Sequence, residues 1–282
     1  MAFVRRTEDW ESSRSVVAAR ISTWVFFTVL ALLFAANVGL IVVWCTSMSG
    51  MAAMPMPGDW TMSMMWMAVC GQTWHDAGFS FLGMWIAMMM AMMLPSLAPV
   101  LWRYHEAVRR AGGMRLCLRT LSMALGYFAV WGLPGLVIFA FGALFADVAM
   151  REPALARAVP LVAAVVVVMA GVFQFTAWKL RHLTCCRDMS GWGWICPAQA
   201  TSAWRHGLRH GLSLGLHCLC SCAGLTAILL VTDIMDLRTM AAVTAAITIE
   251  RLAPNGAHMA RAIGAVVMGV GLLLIARAVA LA

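Results

Sequence analysis

Long apolar runs separated by short polar segments account for most of the chain. Seven of these runs are predicted to be membrane-spanning helices, at about 22–45, 79–101, 119–146, 157–178, 208–231, 234–250 and 260–280. Most of them exceed the ~20 residues that an α-helix needs to cross ~30 Å of hydrocarbon. The pattern therefore predicts an all-α fold, a polytopic transmembrane helical bundle that forms a single membrane domain over 1–282.

The sixth run is the shortest, and its assignment as a span is the least certain from pattern alone. Its apolar core, 237–249, corresponds to only ~20 Å of helix, and Asp233, Asp236 and Arg238 crowd its start. If this segment is re-entrant, the number of spans falls to six. Six spans would place Arg251 and Arg261 outside, so we favour seven.

Composition and charge support a membrane protein. Hydrophobic residues make up 63% of the chain and charged residues only 11%, whereas soluble domains carry roughly 25% charged residues. If the N-terminus is inside, the only basic residues that fall outside are Arg151, Arg157, Arg238 and Arg277. The positive-inside rule then predicts an N-in, C-out protein of the bacterial inner membrane. The net charge of +8 therefore reports orientation in the lipid bilayer, and we expect no nucleic-acid partner.

The predicted outer loop, 46–78, contains no Lys or Arg and is rich in Met and Trp. Its candidate metal ligands are Met62, Met64 and Met65. Thioether sulfur is a soft ligand that suits Cu(I) and needs no deprotonation. Because a solvated loop offers no packing reason for so many thioethers, we expect these residues to bind a soft metal. Cys45 and Cys70, both on the outer side, are candidates for a disulfide.

The second predicted span continues the methionine pattern. Met84, Met88 and Met92 are spaced i, i+4 and i+8, so a helix places them on one face. Such a stripe can pass a soft cation into the membrane. The alternative is that these flexible apolar side chains only fill the core, which is the commoner role of a Met-rich helix face.

The fifth predicted span carries two different faces. One narrow stripe contains His206, His210, His217 and Cys220, and polar side chains in lipid are expected to face metal, water or protein. The opposite face carries Cys218 and Cys222 together with Gly207, Gly211 and Gly215. A Gly-xxx-Gly face is a close-packing surface. These two cysteines are therefore either metal ligands or small residues at a helix contact.

The predicted inner loop, 179–207, is basic and begins with a third candidate site. His182, Cys185 and Cys186 are spaced i, i+3 and i+4, so one helical turn brings them together. Neighbouring Arg and Lys side chains are expected to lower the thiol pKa values and favour the metal-binding thiolate. The cysteine pair is also compatible with thiol redox chemistry. Glu250, near a predicted membrane edge, is expected to be solvated.

No P-loop, dinucleotide fingerprint, nucleophile elbow or His-Glu-x-x-His pattern occurs in the sequence. We therefore do not expect an enzyme.

A series of different short motifs extends along nearly the whole chain. They are Trp60-Thr61-Met62-Ser63, Gly71-Gln72-Thr73-Trp74, Gly83-Met84-Trp85, Ala91-Met92-Met93-Leu94-Pro95-Ser96, Gly126-Tyr127 with Trp131, Ala170-Gly171 with Gln174 and Lys179, the Cys-rich start of the fifth span, and Glu250-Arg251 before Pro254. In this order they resemble a family of bacterial integral membrane proteins described as predicted metal-binding and sometimes labelled copper chaperones. The resemblance implies a membrane-embedded metal-binding protein.

The chain departs from that family at two positions that bear on metal binding. The family's turn reads Lys-x-x-Cys-Leu-x-x-Cys-Arg, and here His182 stands at the first cysteine while Cys186 matches the second and Cys185 is additional. The family's Gly-Cys-Cys-Trp-like run is spelled Cys220-Ser221-Cys222-Ala223. Exchange of Cys for His preserves ligation but makes it less soft.

Together these features predict a Cu(I)-binding relay or chaperone. In this hypothesis the outer methionines capture copper, the Met84, Met88 and Met92 face receives it, and the His and Cys sites hold or release it. A periplasmic copper carrier or a membrane complex is the expected partner. One alternative is a proton-coupled transporter of another small solute, with His206, His210 and His217 as the proton relay. Another is a non-catalytic membrane assembly subunit.

Overall fold

The computed structural model describes residues 2–49, 54–58, 60–67, 71, 73–110, 116–187, 203–232, 234 and 236–280. Within these ranges it contains eight α-helices and one short β-hairpin. The helices are α1 (Ala2–Ser49), α2 (Trp74–Arg110), α3 (Leu116–Arg151), α4 (Pro153–Phe173), α5 (Ala177–Arg187), α6 (Ala203–Thr232), α7 (Leu237–Leu252) and α8 (Gly256–Ala280), and the strands are β1 (Met54–Met56) and β2 (Trp60–Met62). The predicted all-α class is confirmed.

Six of these helices are long and apolar enough to cross a membrane, judged by length and composition over the described residues. They are α1, α2, α3, α4, α6 and α8. Helix α7 has 16 residues, which corresponds to about 24 Å of helix and falls short of the hydrocarbon thickness. The seventh span and the N-in orientation therefore stay predictions.

Helix α5 lies where the sequence suggested an inner loop. It packs on α6 and also touches α7, so the first eleven residues after the α4 turn are part of the bundle. Its side chains meet α6 in the same order along both helices, because His182 contacts His217 and Cys186 contacts Ser221. Residues 188–202 of the same loop, which include Cys196, lie outside the described residues.

The most extensive helix pairing in the bundle joins α3 to α6. Gly207, Gly211 and Gly215 form the α6 side of this contact. A Cβ atom at any of them would collide with the α3 backbone, at the carbonyl oxygens of Arg119, Met123 and Tyr127. The prediction that this glycine face is a close-packing surface is confirmed.

The hairpin formed by β1 and β2 packs against the helices. Strands β1 and β2 pair antiparallel, with Met54 opposite Met62 and Met56 opposite Trp60. Gly58 in the turn has a φ of 101°, a conformation that favours glycine. The indole Nε1 of Trp60 donates to the carbonyl oxygen of Ala156 at 2.9 Å, which fixes the hairpin to the start of α4.

Candidate metal centre

Three sulfur atoms, one from α2 and two from α6, meet in the core. The Sγ atoms of Cys218 and Cys222 lie 4.0 Å apart, and the Cys218 Sγ lies 3.8 Å from the Sδ of Met93. All three residues are buried. The two cysteines are one turn apart on the face that continues the α6 glycine surface, and α2 supplies the methionine. We call Met93, Cys218 and Cys222 the sulfur cluster.

A hydroxyl and a guanidinium group line this cluster. The Tyr127 hydroxyl donates to Cys218 Sγ at 2.8 Å. Arg251 reaches in from the end of α7, and its Nη2 lies 3.7 Å from the Sγ atoms of both Cys222 and Cys186. Its Nη1 lies 3.3 Å from Ser96 Oγ and 3.5 Å from the Tyr127 hydroxyl. The guanidinium therefore contacts both Cys186 of α5 and the sulfur cluster.

Next to Arg251, a buried ion pair joins α5 to α7. The Lys179 Nζ lies 2.7 and 2.9 Å from the two carboxylate oxygens of Glu250, and the two side chains are 0% and 2% exposed. Burial lowers the pKa of Lys179, and the Glu250 carboxylate opposes that effect. Arg187 at the end of α5 donates to the backbone carbonyls of Glu250, Ala253 and Pro254. Helix α5 thus holds the turn between α7 and α8 against the bundle.

This arrangement corrects one expectation. Glu250 is not solvated, because it is buried against Lys179 of α5, and Arg251 beside it is buried as well. Within the described residues, Arg251 has no carboxylate at ion-pair distance, since the neighbouring carboxylate is bonded to Lys179. A buried cation without a carboxylate leaves the nearby sulfur atoms as its electrostatic partners.

The cysteines of α5 also differ from expectation. Burial raises the pKa of Cys186 to about 11, although the nearby Arg251 guanidinium acts in the opposite direction. The expectation that basic neighbours would lower this thiol pKa is therefore wrong, since desolvation outweighs their charge. Cys185 is half-buried, as is Cys220 on α6, and neither is in a disulfide.

The histidines separate into two pairs rather than one continuous stripe. On α6, the Nε2 atoms of His206 and His210 lie 3.0 Å apart. His217 instead pairs with His182 of α5, with 2.8 Å between the two Nδ1 atoms. In each pair one imidazole must donate and the other accept. His182 therefore contacts α6, and within the described residues His182, Cys185 and Cys186 do not form a group that could hold a metal ion.

The predicted methionine ligands are part of the core. Met84, Met88 and Met92 are buried along α2 and belong to one hydrophobic cluster with Met65. Met62 is also buried. The expectation of solvated loop thioethers is wrong for Met62 and Met65, because the hairpin and the 3₁₀ turn after it pack on the helices.

Two predictions made from the sequence concern parts of the chain that the structure does not describe. The side chain of Met64 lies outside the described side chains, and Cys70 lies outside the described residues. The disulfide between Cys45 and Cys70 stays a prediction.

The donor atoms decide which ion the core can hold. Within the described part of the chain, no group of three or more His, Cys, Asp or Glu side chains is close enough together to hold a metal ion. The sulfur cluster instead supplies two thiols and one thioether. This set is soft and low in coordination number, and it contains none of the oxygen donors that hard cations prefer.

Sequence reasoning identified Cys218 and Cys222 as candidates but missed Met93, Tyr127 and Arg251 as their neighbours. Met93 was present in the methionine pattern, one residue beyond the stripe that was singled out. The signal for Arg251 was its position directly after an acidic residue at the end of an apolar run. An ionisable residue within a membrane bundle is by default a candidate for function.

Of three comparisons with known proteins, one found a match. Comparison with curated proteins found no match, and comparison with solved structures found none either. A family model described as PpoB2, copper chaperone, matches residues 82–274, a range that runs from α2 into α8 and includes the whole sulfur cluster. Because the match covers more than half of the chain, this protein belongs to the PpoB2 copper chaperone family.

Proposed function

We propose that this protein binds Cu(I) within the bacterial inner membrane and acts as a copper relay or chaperone. The observation that carries the proposal is the contact of two buried thiols with a buried thioether, Cys218 and Cys222 with Met93. The copper chaperone family to which the chain belongs supports the choice of metal.

The chemistry of the donors favours the cuprous ion. Thiolate and thioether sulfur are soft and select Cu(I) over hard cations. Cu(I) accepts two or three sulfur ligands, which matches a cluster in which no third His, Cys, Asp or Glu donor lies close by within the described residues. Copper is the cargo of this site, so its binding must be reversible. A thioether ligand on one side suits that requirement, because it carries no charge and is released without protonation.

The buried methionines offer a route toward the cluster. Met65, beside the outer hairpin, and Met84, Met88 and Met92 on α2 belong to one hydrophobic cluster that also contains Met93. We propose that copper enters at the hairpin, moves along the α2 thioethers and reaches Cys218 and Cys222. The histidine pairs His206–His210 and His182–His217 then lie on the release side, with a carrier protein or a membrane complex as the recipient.

The first prediction tests the cluster itself. Purified full-length protein, titrated anaerobically with Cu(I) against a chromophoric chelator, is expected to bind about one equivalent tightly. The C218S/C222S variant is expected to lose about a hundredfold in affinity or more, because both charged ligands are removed. Cys117 is exposed on α3, so Cys117→Ser is the matched control and is expected to bind like the unmodified protein. Binding that is unchanged in C218S/C222S would exclude the cluster as the copper site.

The second prediction separates ligand from packing methionines. Met93→Leu is expected to weaken Cu(I) binding by about tenfold, whereas Met89→Leu, which changes a buried methionine one turn away, is expected to leave it unchanged. Leucine replaces methionine in cores at a cost below about 1.5 kcal/mol, so both variants should fold. The triple variant M84L/M88L/M92L is expected to keep the equilibrium affinity but to load copper more slowly in stopped-flow measurements. Equal affinities for Met93→Leu and Met89→Leu would reduce Met93 to packing.

A second candidate function rests on the two imidazole pairs. Paired histidines in a membrane bundle are typical of proton handling, so a proton-coupled transporter of another solute is the alternative. Proton-coupled uptake into proteoliposomes that is insensitive to copper chelators and abolished by His217→Ala would favour it over the copper relay.

A further inference from the structure

A fixed positive charge lies beside the sulfur cluster, and metal binding by the three sulfur ligands does not by itself require it. The Arg251 guanidinium is buried, and each of its two terminal nitrogens contacts the wall of the site, at Ser96 and Tyr127 on one side and at Cys186 and Cys222 on the other. Burying a cation without an anion costs several kcal/mol. A fold that keeps Arg251 here must gain from it in at least one state of the protein.

The neighbouring charges do not cancel that of Arg251. Lys179 and Glu250 neutralise each other, with Nζ–Oε distances of 2.7 and 2.9 Å. Cys186 lies on α5 outside the sulfur cluster and is buried, and a buried position favours a neutral thiol over a thiolate. The charge of the site with metal bound is therefore set by three contributions, the two ligand thiolates, Arg251 and the ion.

We propose that Arg251 is a specificity-determining residue, which makes the sulfur cluster selective for monovalent over divalent soft cations. Two thiolates, one guanidinium and one monovalent ion sum to zero charge. With a divalent ion such as Zn²⁺ or Cd²⁺, the same groups carry one uncompensated positive charge in a buried site. Soft thiolate ligands by themselves also accept Zn²⁺, so ligand type cannot supply this discrimination. The inference rests on the proposed function, since it takes the sulfur cluster as the metal site.

Arg251 also has the geometry for this role. A guanidinium presents five N–H donors and cannot lose its charge in a protein. Its contact with Cys222 at 3.7 Å places the charge next to a ligand sulfur. Within the described residues, Cys186 does not form a group of three donors with Cys218 and Cys222 that could hold a metal ion. A third thiolate would restore neutrality with a divalent metal, so a donor set without Cys186 works in the same direction.

The experiment compares two soft ions that differ in charge. Full-length protein in detergent is titrated anaerobically with Ag(I) and with Cd(II), and the ratio of their dissociation constants is measured for each variant. Arg251→Met removes the charge, and we expect the preference for Ag(I) over Cd(II) to fall by about a hundredfold or more, given the cost of an uncompensated buried charge. Arg251→Lys keeps the charge and is expected to retain most of the preference. Arg151→Met is the control, because its guanidinium is exposed at the end of α3 and pairs with Asp147, and it should leave the ratio unchanged.

A second variant gives the site the same net charge as Arg251→Met while Arg251 stays in place. Ser96→Asp puts a carboxylate beside Nη1, which is 3.3 Å from Ser96 Oγ, and is also expected to shift the ratio toward Cd(II). This variant decides the question if Arg251→Met does not fold. An Ag(I) to Cd(II) ratio unchanged in the folded variants would overturn the role of Arg251 while leaving the copper site intact. Ag(I) binding that survives in C218S/C222S would instead overturn the proposed function and this inference with it.

Discussion

Replacing Lys179 with methionine is expected to lower the free energy of unfolding by about 3–5 kcal/mol, because it leaves a buried carboxylate without its partner. The Lys179 Nζ and the Glu250 carboxylate are 2.7 Å apart, and neither side chain reaches solvent. The measurement is thermal or denaturant-induced unfolding of the purified protein in detergent. We expect the double variant K179M/E250Q to recover most of the loss, since it removes both charges together.

An exposed ion pair provides the control for that prediction. Arg151 and Asp147 lie one turn apart on α3 at 2.8 Å, with 74% and 48% of their side chains exposed. Arg151→Met is expected to change the free energy of unfolding by no more than about 1 kcal/mol, because water screens such pairs. If Lys179→Met had an equally small effect, or if the double variant were less stable than the single one, the buried pair would not be holding α5 against α7.

This ion pair has a consequence for the metal site. Lys179 lies in the first turn of α5, the helix that carries Cys186, and Glu250 directly precedes Arg251. The pair therefore fixes two segments whose next functional residues both approach the sulfur cluster. Lys179→Met is expected to disturb the position of Arg251 as well as the stability of the fold.

The sequence predicted the helices well because long apolar runs are a strong and local pattern. A run of about 20 apolar residues has few other structural solutions, since every backbone polar group must be satisfied internally. The same holds for the glycine face of α6, where spacing alone places Gly207, Gly211 and Gly215 together. In both cases the information lies within one segment of the chain.

The composition of the site was harder to predict because it depends on distant segments. Cys218 meets Tyr127 and Met93, which are 91 and 125 residues away in sequence. From α6 alone, the histidine stripe was the more conspicuous face, and the cysteines on the glycine face were open to interpretation as packing residues. Only the close approach of α3, which the glycines permit, brings Tyr127 to Cys218.

The charges at the ends of apolar runs were misjudged for a related reason. Lys179, Glu250 and Arg251 lie at predicted membrane edges, where hydropathy assigns them to the surface. A hydropathy pattern does not reveal that α5 returns against α6, or that Arg187 ties the α7–α8 turn to it. Once these segments fold inward, the same three residues become the most buried charges beside the cluster.

Replacing Gly211 with leucine is expected to separate α6 from α3 and to abolish tight copper binding together with stability. A Cβ at this position already meets the carbonyl group of Met123 and the amide nitrogen of Tyr127, and backbone atoms cannot move aside as a flexible side chain does. We expect the free energy of unfolding to fall by about 3 kcal/mol or more, the upper range for overpacking a well-packed core.

The affinity for Cu(I) measures the same displacement of α6 independently of stability. Because Gly211 lies two turns before Cys218, a shift of α6 away from α3 lengthens the contact between Cys218 and the Tyr127 hydroxyl, now 2.8 Å, and separates the thiols from Met93 on α2. Gly269→Leu is the matched control, since a Cβ at Gly269 on α8 meets nothing within 4 Å. Detergent unfolding and anaerobic Cu(I) titration of both variants measure the two effects. If Gly211→Leu kept its copper affinity, the α3–α6 contact would be dispensable for the cluster, and the geometry of Cys218 and Cys222 would have to be set by α2 and α7 instead.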